Sequence, residues 1–438
     1  MSKRAMFAVV LGCAALAFVT PVRAQNGSAA SGPIVLKAAH LFDAVSGRLT
    51  DRAVIVVANG RIQAVGGNLP APSDAEVIDL GDATLMPGLI DSHVHMDDQG
   101  QDNWYLGFYQ GVMRFPAERA LYGAAYAKAT LEAGFTTVRD VGSTDYIALG
   151  LRNAINAGAI AGPRMLVSNY AIGSTGGHAD QNPYPPQLIP PAGPVQGVCN
   201  GADECRAAVR YQIKYGADVI KFMPSGGVLS LSDPVDVPEL TQEEMDAIVS
   251  EAHTWHRKVA AHCHGDRAAK MAIKAGVDSI EHGTFLHDDT LRMMKDAHVY
   301  LVPTLFAGEW VGQKADTFPP QIRAKAIQAS AAIQQMFQHA VKIGVPIAFG
   351  TDSAVEPHGL DAREFALMTK GGMSAADALM SATAGASALL GIDKETGTLE
   401  AGKEADIVAL PGNPLADIHA TEHPRLVMKH GVVYVHVK

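Results

Sequence analysis

Gly88-Leu89-Ile90-Asp91-Ser92-His93-Val94-His95 is an apolar run that ends in a polar tip. Such a run reads as a buried parallel strand that delivers side chains to a pocket at its carboxyl end. Residues two apart in a strand share a face, so His93 and His95 point the same way and Val94 packs behind them. Two imidazoles on one rigid strand make half a metal site. An isolated His-x-His can equally be a pair of core histidines satisfied by hydrogen bonds, so the rest of the chain has to decide.

Working outward, the segment after this strand alternates strand-like and helix-like patterns, which predicts parallel β with crossover helices. Further strands are expected at Thr136–Asp140, Arg164–Ser168, Asp218–Phe222, Val259–His262, Ser279–His282, Tyr300–Thr304 and Pro346–Asp352. Helices with alanine-rich faces are expected at Ala117–Ala133, Glu204–Tyr215, Thr241–His256, Asp266–Lys274 and Ala324–Lys342. With the first strand the count is eight, the number that closes a (β/α)8 TIM barrel. Two stretches read as long loops, Gly173–Gly197 and Ala307–Pro320, and long loops beyond strand ends are where substrate contacts usually sit.

Both ends of the chain differ from this middle. Ile34-Val35-Leu36, Ala53–Val57, Ile62–Val65 and Glu76–Leu80 are short alternating runs separated by turn signals such as Asn59-Gly60. Ala405–Leu410, Arg425–Met428 and Val432–Val435 match them at the other end. The fold class expected is therefore α/β, a TIM barrel with a small β-sandwich domain built from both chain ends. The boundaries are 25–86 and 391–438 for the two parts of the sandwich and 87–390 for the barrel.

The 438 residues are 48% hydrophobic and 18% charged, the balance of a globular protein able to bury a sizeable core. Residues 1–24 begin with Lys3 and Arg4, continue through the apolar run Ala5–Thr20 and end in Val22-Arg23-Ala24. This is the plan of a secretory signal peptide cut before Gln25, and it places the mature chain in the periplasm or outside the cell. A permanent anchor fits less well, because a membrane-spanning helix needs roughly 20 apolar residues. Cys13 after Val10-Leu11-Gly12 loosely resembles a lipoprotein box, but apolar residues continue beyond it.

Losing that segment removes Lys3, Arg4 and Arg23 and no acidic residue, which moves the net charge from −10 to −13. Such a surface argues against nucleic acid or anionic lipid as a partner. Of the 4 cysteines, Cys199 and Cys205 flank Asn200–Glu204 and are either a local disulfide in an oxidising compartment or two free thiols. Cys263, between two histidines on a strand, is turned away from them by alternation and is read as a packed apolar residue.

Chemistry gathers at the predicted strand ends: His93 and His95, then Lys221, His262 and His264, His282 and Asp352. Each has a bland explanation alone, since a strand lysine can snorkel or pair and an aspartate can cap the next helix. Together they fall at the carboxyl ends of five strands of one barrel. A packed core has no use for five histidines, a lysine and an aspartate converging there.

These residues in this order resemble the amidohydrolase superfamily, and within it the binuclear-metal branch related to imidazolonepropionase, prolidase-like Xaa-Pro dipeptidases and ochratoxinase-type carboxypeptidases. The resemblance runs from Leu85-Met86-Pro87-Gly88-Leu89-Ile90-Asp91 to Gly397-Thr398-Leu399-Glu400-Ala401-Gly402-Lys403-Glu404-Ala405-Asp406. It implies that His93, His95 and Asp352 hold one divalent metal and His262 and His282 another. Lys221, carboxylated to a carbamate, would bridge both. Imidazolonepropionase uses a single metal; the lysine in Val219-Ile220-Lys221 favours the two-metal branch.

Imidazole and carboxylate suit zinc first, although manganese or cobalt fits the same ligands. Desolvation beside two cations would leave Lys221 a neutral amine able to capture carbon dioxide. The implied activity is metal-dependent hydrolysis of the amide in dipeptides or N-acyl amino acids by a hydroxide shared between the metals. Asp352 carries the proton to the leaving amine. Proline or an aromatic residue on the leaving side is an expectation from the family alone.

His264 is one ligand too many for two filled metals, so it is assigned to the substrate carbonyl or oxyanion, or else is a histidine satisfied beside the ligands. His178, in Gly176-Gly177-His178-Ala179-Asp180, resembles a substrate-contacting loop of these relatives or is a solvated loop histidine. Met223 should face the pocket, where some relatives carry a polar residue. His358 and Glu356 are weaker substrate-side candidates. A small molecule or dipeptide is the expected partner, with no membrane contact after signal cleavage and a homo-oligomeric assembly. Two readings stand beside this one: a cyclic-amide or lactone hydrolase on the same metals, and a catalytically silent binding scaffold.

Overall fold

The computed structural model describes residues 32–101, 103–180 and 184–437. The expected signal peptide, residues 1–24, lies outside them. The first strands are β1 (Ile34–Asp43), β2 (Arg48–Ala58), β3 (Arg61–Gly66), β4 (Glu76–Asp79) and β5 (Ala83–Pro87). The barrel staves follow as β6 (Leu89–Val94), β7 (Phe135–Asp140), β8 (Arg164–Val167), β9 (Val219–Phe222), β10 (Lys258–Cys263), β11 (Ser279–His282) and β12 (Tyr300–Val302). The last three strands are β13 (Ile407–Pro411), β14 (Leu426–Lys429) and β15 (Val432–His436).

Strands from both chain ends form one sheet in the order β15-β14-β13-β5-β1-β2-β3, with β4 also on β1. The join is antiparallel, Ile407 opposite Pro87 and Pro411 opposite Ala83. Leu36, Ile55 and Ile62 from one end share a core with Ile407 and Met428 from the other. Sequence alternation suggests an antiparallel sheet, yet β4 and β5 run parallel to β1. Residues 67–75 carry the chain from β3 back across β2 to the free edge of β1, so it re-enters in the direction of β1.

All barrel pairings are parallel, in the runs β6-β7-β8 and β9-β10-β11-β12. Two seams close the ring. Asp218 donates to the Val167 carbonyl at 2.8 Å, and Ile172 bridges to Phe222. The expected eighth strand, Pro346–Asp352, is an irregular stave that bridges β12 at Ile347 and β6 at Ser353. Its irregularity has a local cause. A Cβ on Gly350 would lie 2.3 Å from Val302, and Asp352 sits at φ +69°, outside the β region.

Helices cover Pro116–Glu132, Ala202–Lys214, Gln242–Thr254, Asp266–Ala275 and Pro320–Ile343, close to the expected spans. The reading of Ala307–Pro320 as a loop is overturned, because Leu305–Gln313 is a helix followed by a short turn at Ala315–Thr317. Gly308 and Gly312 let this helix lie close on Pro320–Ile343. A Cβ would meet Ile333 at 2.9 Å from Gly308 and Ser330 at 2.2 Å from Gly312. The helix Trp104–Met113 escaped periodicity because none of its residues is buried.

Among the described residues of the stretch Gly173–Gly197 the only helical piece is the short turn Pro194–Gln196. Gly173 bridges Val198 next to Cys199, which is disulfide-bonded to Cys205. Of the two readings for this cysteine pair, the structure has the disulfide. Cys263 is buried in the apolar layer outside the strands. No helix of the described residues is long and apolar enough to cross a membrane.

Candidate metal centre and substrate cavities

Strand alternation places the first two histidines as expected: Val94 is packed outward among Met96, Ala127 and Val138, while His93 and His95 face the barrel mouth with ring centroids 5.4 Å apart. His93 lies 5.0 Å from His282, ring to ring, and His282 lies 4.6 Å from His262 and 4.8 Å from His264. Lys221 is buried beneath them, its Nζ 3.5 Å from His93 Nε2. Asp352 Oδ1 is 3.3 Å from His93 Nε2 and 3.2 Å from His95 Nε2. The structure therefore brings together all six residues assigned as metal ligands.

Neighbouring acceptors fix which nitrogen faces inward. His95 Nδ1 donates to the Gly142 carbonyl at 2.7 Å, and His93 Nδ1 donates to Glu281 Oε2 at 2.8 Å. His262 is turned the other way, with Nε2 donating to the Gly226 carbonyl at 3.3 Å. In the neutral rings, His93 Nε2, His95 Nε2 and His262 Nδ1 are thus bare lone pairs aimed at the centre. Two of them face a carboxylate oxygen at hydrogen-bond distance. An arrangement of acceptor against acceptor is favourable only with a positive charge between, a proton or a metal cation.

The donor atoms of His262, His264 and His282 lie within 4.8 Å of one another, as do those of His93, His282 and Asp352. Imidazole nitrogens and a carboxylate oxygen so placed fit divalent metals of the zinc type.

Electrostatics agree. Burial alone would depress His95, but its hydrogen bond and attraction to Asp352 raise it to about 9. Burial would raise Asp352, yet His93 and His95 hold it well below the ordinary carboxylate range. Burial pushes Lys221 down to about 8 against the attraction of Glu281 and Asp352. Burial also holds His264 at about 3 and His178 at about 4, so both rings are neutral hydrogen-bonding groups near neutral pH.

Two cavities meet at this cluster. The larger, about 520 Å³, opens beside His95 and is lined by Met223, His178 and a row of stacked rings. Trp104 stacks on Phe108 at 5.2 Å, and Phe108 on Tyr184 at 4.7 Å. The smaller, about 200 Å³, lies on the side of His264 and His282 and also reaches His178. His178 is no solvated loop residue: its ring is 4.5 Å from His262 and its Nδ1 is 3.1 Å from Ser230 Oγ.

His358 is a correction. It lines neither cavity, because its ring stacks on Tyr126 at 4.8 Å and its Nε2 donates to the Asp98 carbonyl at 3.0 Å. Glu356 is fully buried and lines neither cavity.

Sequence reasoning missed the residues that aim the ligands. Glu281 links His93 to Arg139, whose Nη2 is 2.9 Å from Glu281 Oε1 and whose Nε donates to the Ser92 carbonyl at 2.6 Å. Burial would raise Glu281, but Arg139 and His93 hold it at about 2, an anion behind a candidate ligand. Alternation should turn Glu281 away from its neighbour His282. The left-handed backbone at His282, φ +65°, lets both reach His93. Thr304 and Thr284 are 2.7 Å from His282 Nδ1 and His264 Nδ1. The detectable signal was a charged Glu281 inside a strand, next to a histidine.

Comparison with known proteins gives a consistent picture. Residues 84–434 match the amidohydrolase family. Ochratoxinase from Aspergillus niger is 35% identical over 361 residues, covering 78% of this chain and 73% of the relative. Among solved structures, a Xaa-Pro dipeptidase with bound methionine in the active site superposes with a TM-score of 0.88 at 40% identity, over 92% of this chain and 100% of that one. A prolidase complexed with N-methylphosphonate-L-proline gives 0.83 at 29% identity, over 93% and 100%.

Proposed function

This chain belongs to the amidohydrolase family, as a metal-dependent hydrolase of amide bonds, and on that premise we propose that it cleaves dipeptides or N-acyl amino acids to release a free amino acid. The observation that carries the reading is the convergence of His93, His95, His262 and His282 with the Asp352 carboxylate above a buried lysine. His93, His95 and Asp352 would hold one divalent ion, zinc first among the candidates, and His262 and His282 a second. Lys221, as a carbamate, would bridge them. When bound, such a pair supplies Lewis acidity toward the scissile carbonyl and lowers the pKa of water toward neutrality.

The chain's own residues do the rest. Asp352, ionised and at the mouth, accepts a proton from the attacking water and returns it to the nitrogen of the breaking C–N bond, so the products are a carboxylic acid and an amine. His264, held by Thr284, offers Nε2 toward the carbonyl oxygen as negative charge gathers there. His178, fixed by Ser230, borders both cavities and orients the substrate across the cluster. The segment 1–24 supports a periplasmic or secreted site of action for this hydrolase.

Product release from Xaa-Pro, Xaa-Phe and N-acyl amino acids by zinc-loaded protein tests the reading. Turnover that disappears on chelation and returns with divalent metal is expected. Full turnover in thoroughly chelated protein, or none with any amide in the metal-loaded form, overturns it.

A further inference from the structure

The two cavities differ in chemistry as well as in size. Apart from the catalytic cluster, His178 and two threonines, the wall of the smaller one is carbon, with Val228, Leu229, Ala307, Val311, Ala329 and Ile333 among its residues. The threonines, Thr284 and Thr304, have their hydroxyls engaged by His264 and His282. Among the described residues, and beyond Asp352, no lysine, arginine, aspartate or glutamate lines this chamber. The larger cavity, by contrast, carries Arg119, Lys314, Asp97 and Asp98 on its wall. A charged side chain entering the smaller chamber would leave water without gaining a partner, which is strongly unfavourable. An apolar side chain would gain from the same walls.

Resting on the amide-hydrolase reading, we propose that the smaller chamber is a side-chain pocket for an uncharged apolar residue. The enzyme then selects amides that carry an aliphatic, thioether or aromatic side chain on one side of the scissile bond. The ionised end of the substrate lies in the larger cavity. The small residues Ala307, Gly308 and Ala329 give this pocket its room, and Leu229 borders both cavities.

The test is a dipeptide panel in which each side of the amide is varied separately through Leu, Met, Phe, Lys, Arg and Glu. At one of the two sides, charged residues should lower kcat/KM by about 100-fold or more relative to Leu or Met. Val311→Asp should recover Lys and Arg at that same side by about 10-fold relative to Leu. Leu229→Asp, on a half-buried loop position, serves if the helix does not tolerate the first change. Calorimetric titration of the metal-loaded wild-type protein with free leucine, methionine, lysine and glutamate reads the pocket without turnover, and the first two should bind more tightly. Equal acceptance of charged and apolar residues on both sides, or no difference in binding, overturns the proposal. If no peptide is cleaved, the amide-hydrolase reading fails and the calorimetric ranking still decides the pocket.

Discussion

The Nζ of Lys325 donates to the carbonyl oxygen of Gly227 at 2.6 Å, tying a helix on the barrel's outside to the loop that follows β9. The same ammonium also reaches the carbonyls of Ser230 at 2.6 Å and Asp233 at 3.0 Å. That loop holds His178 in place: Ser230 Oγ is 3.1 Å from its Nδ1, and a Cβ on Gly227 would lie 2.0 Å from the ring.

Lys325→Met should therefore loosen His178 without touching a metal ligand. Charge-assisted hydrogen bonds contribute about 1.5–3 kcal/mol each, and part of that loss is transmitted to the ring it positions. The expected outcome is a rise in KM of about 10-fold with kcat changed less. Metal content, read by elemental analysis, should stay at the wild-type value. An unchanged KM would remove Lys325 from the substrate-positioning machinery.

Asp352→Asn keeps an oxygen that can approach a cation but cannot carry the proton. Loss of general acid–base catalysis typically costs 10²–10⁴-fold, so kcat should fall by about 100-fold or more. Retention of wild-type kcat on a dipeptide would assign proton transfer to another group.

The bridging role proposed for Lys221 has a spectroscopic signature. Protein prepared in ¹³C-bicarbonate should show one carbamate carbon resonance that is absent from Lys221→Ala. Metal occupancy of that variant should fall. Preparation without bicarbonate should lower metal retention in the wild type, and full metal loading of Lys221→Ala would contradict a bridging ligand at this position.

Lys429 gives the fold a pH dependence separable from the site. Its Nζ donates to the Gly162 carbonyl at 2.7 Å, and burial pulls its pKa down to about 8 from 10.5, against the pull of Asp406. The folded chain binds fewer protons than the unfolded one between these values. Stability from this group therefore rises as pH increases from about 8 to 10.5, and below 8 the cost of the buried charge is fully present. In urea titrations, wild type should gain on Lys429→Met across that window. Parallel curves for the two proteins would show that Lys429 titrates as an exposed lysine does.

Much of the site is legible in the sequence, because a strand repeats every two residues and this repeat survives folding. His93 with His95 and His262 with His264 were placed on shared faces by spacing alone, and Val94 and Cys263 were turned away by the same rule. Eight strand-like runs with helices between them suffice for the barrel. Matching alternation at the two ends suffices for one domain built from both, but not for the strand that joins them, since β5 was not among the runs read and pairs with β13 only in the fold.

The helix Leu305–Gln313 was not legible, since glycines that serve close helix packing carry no helical signal in one dimension. His358 shows the same limit: proximity in sequence to Asp352 suggested the pocket, and stacking on Tyr126 took it elsewhere. Local periodicity and ligand spacing were fixed by the order of residues. The Glu281 contact to His93, the hold of Lys325 on the loop beside His178 and the carbon-lined chamber were decided only in three dimensions. They depend on which strands and helices become neighbours. They depend also on the left-handed backbone at His282 and Asp352, which no repeat of two or 3.6 residues encodes.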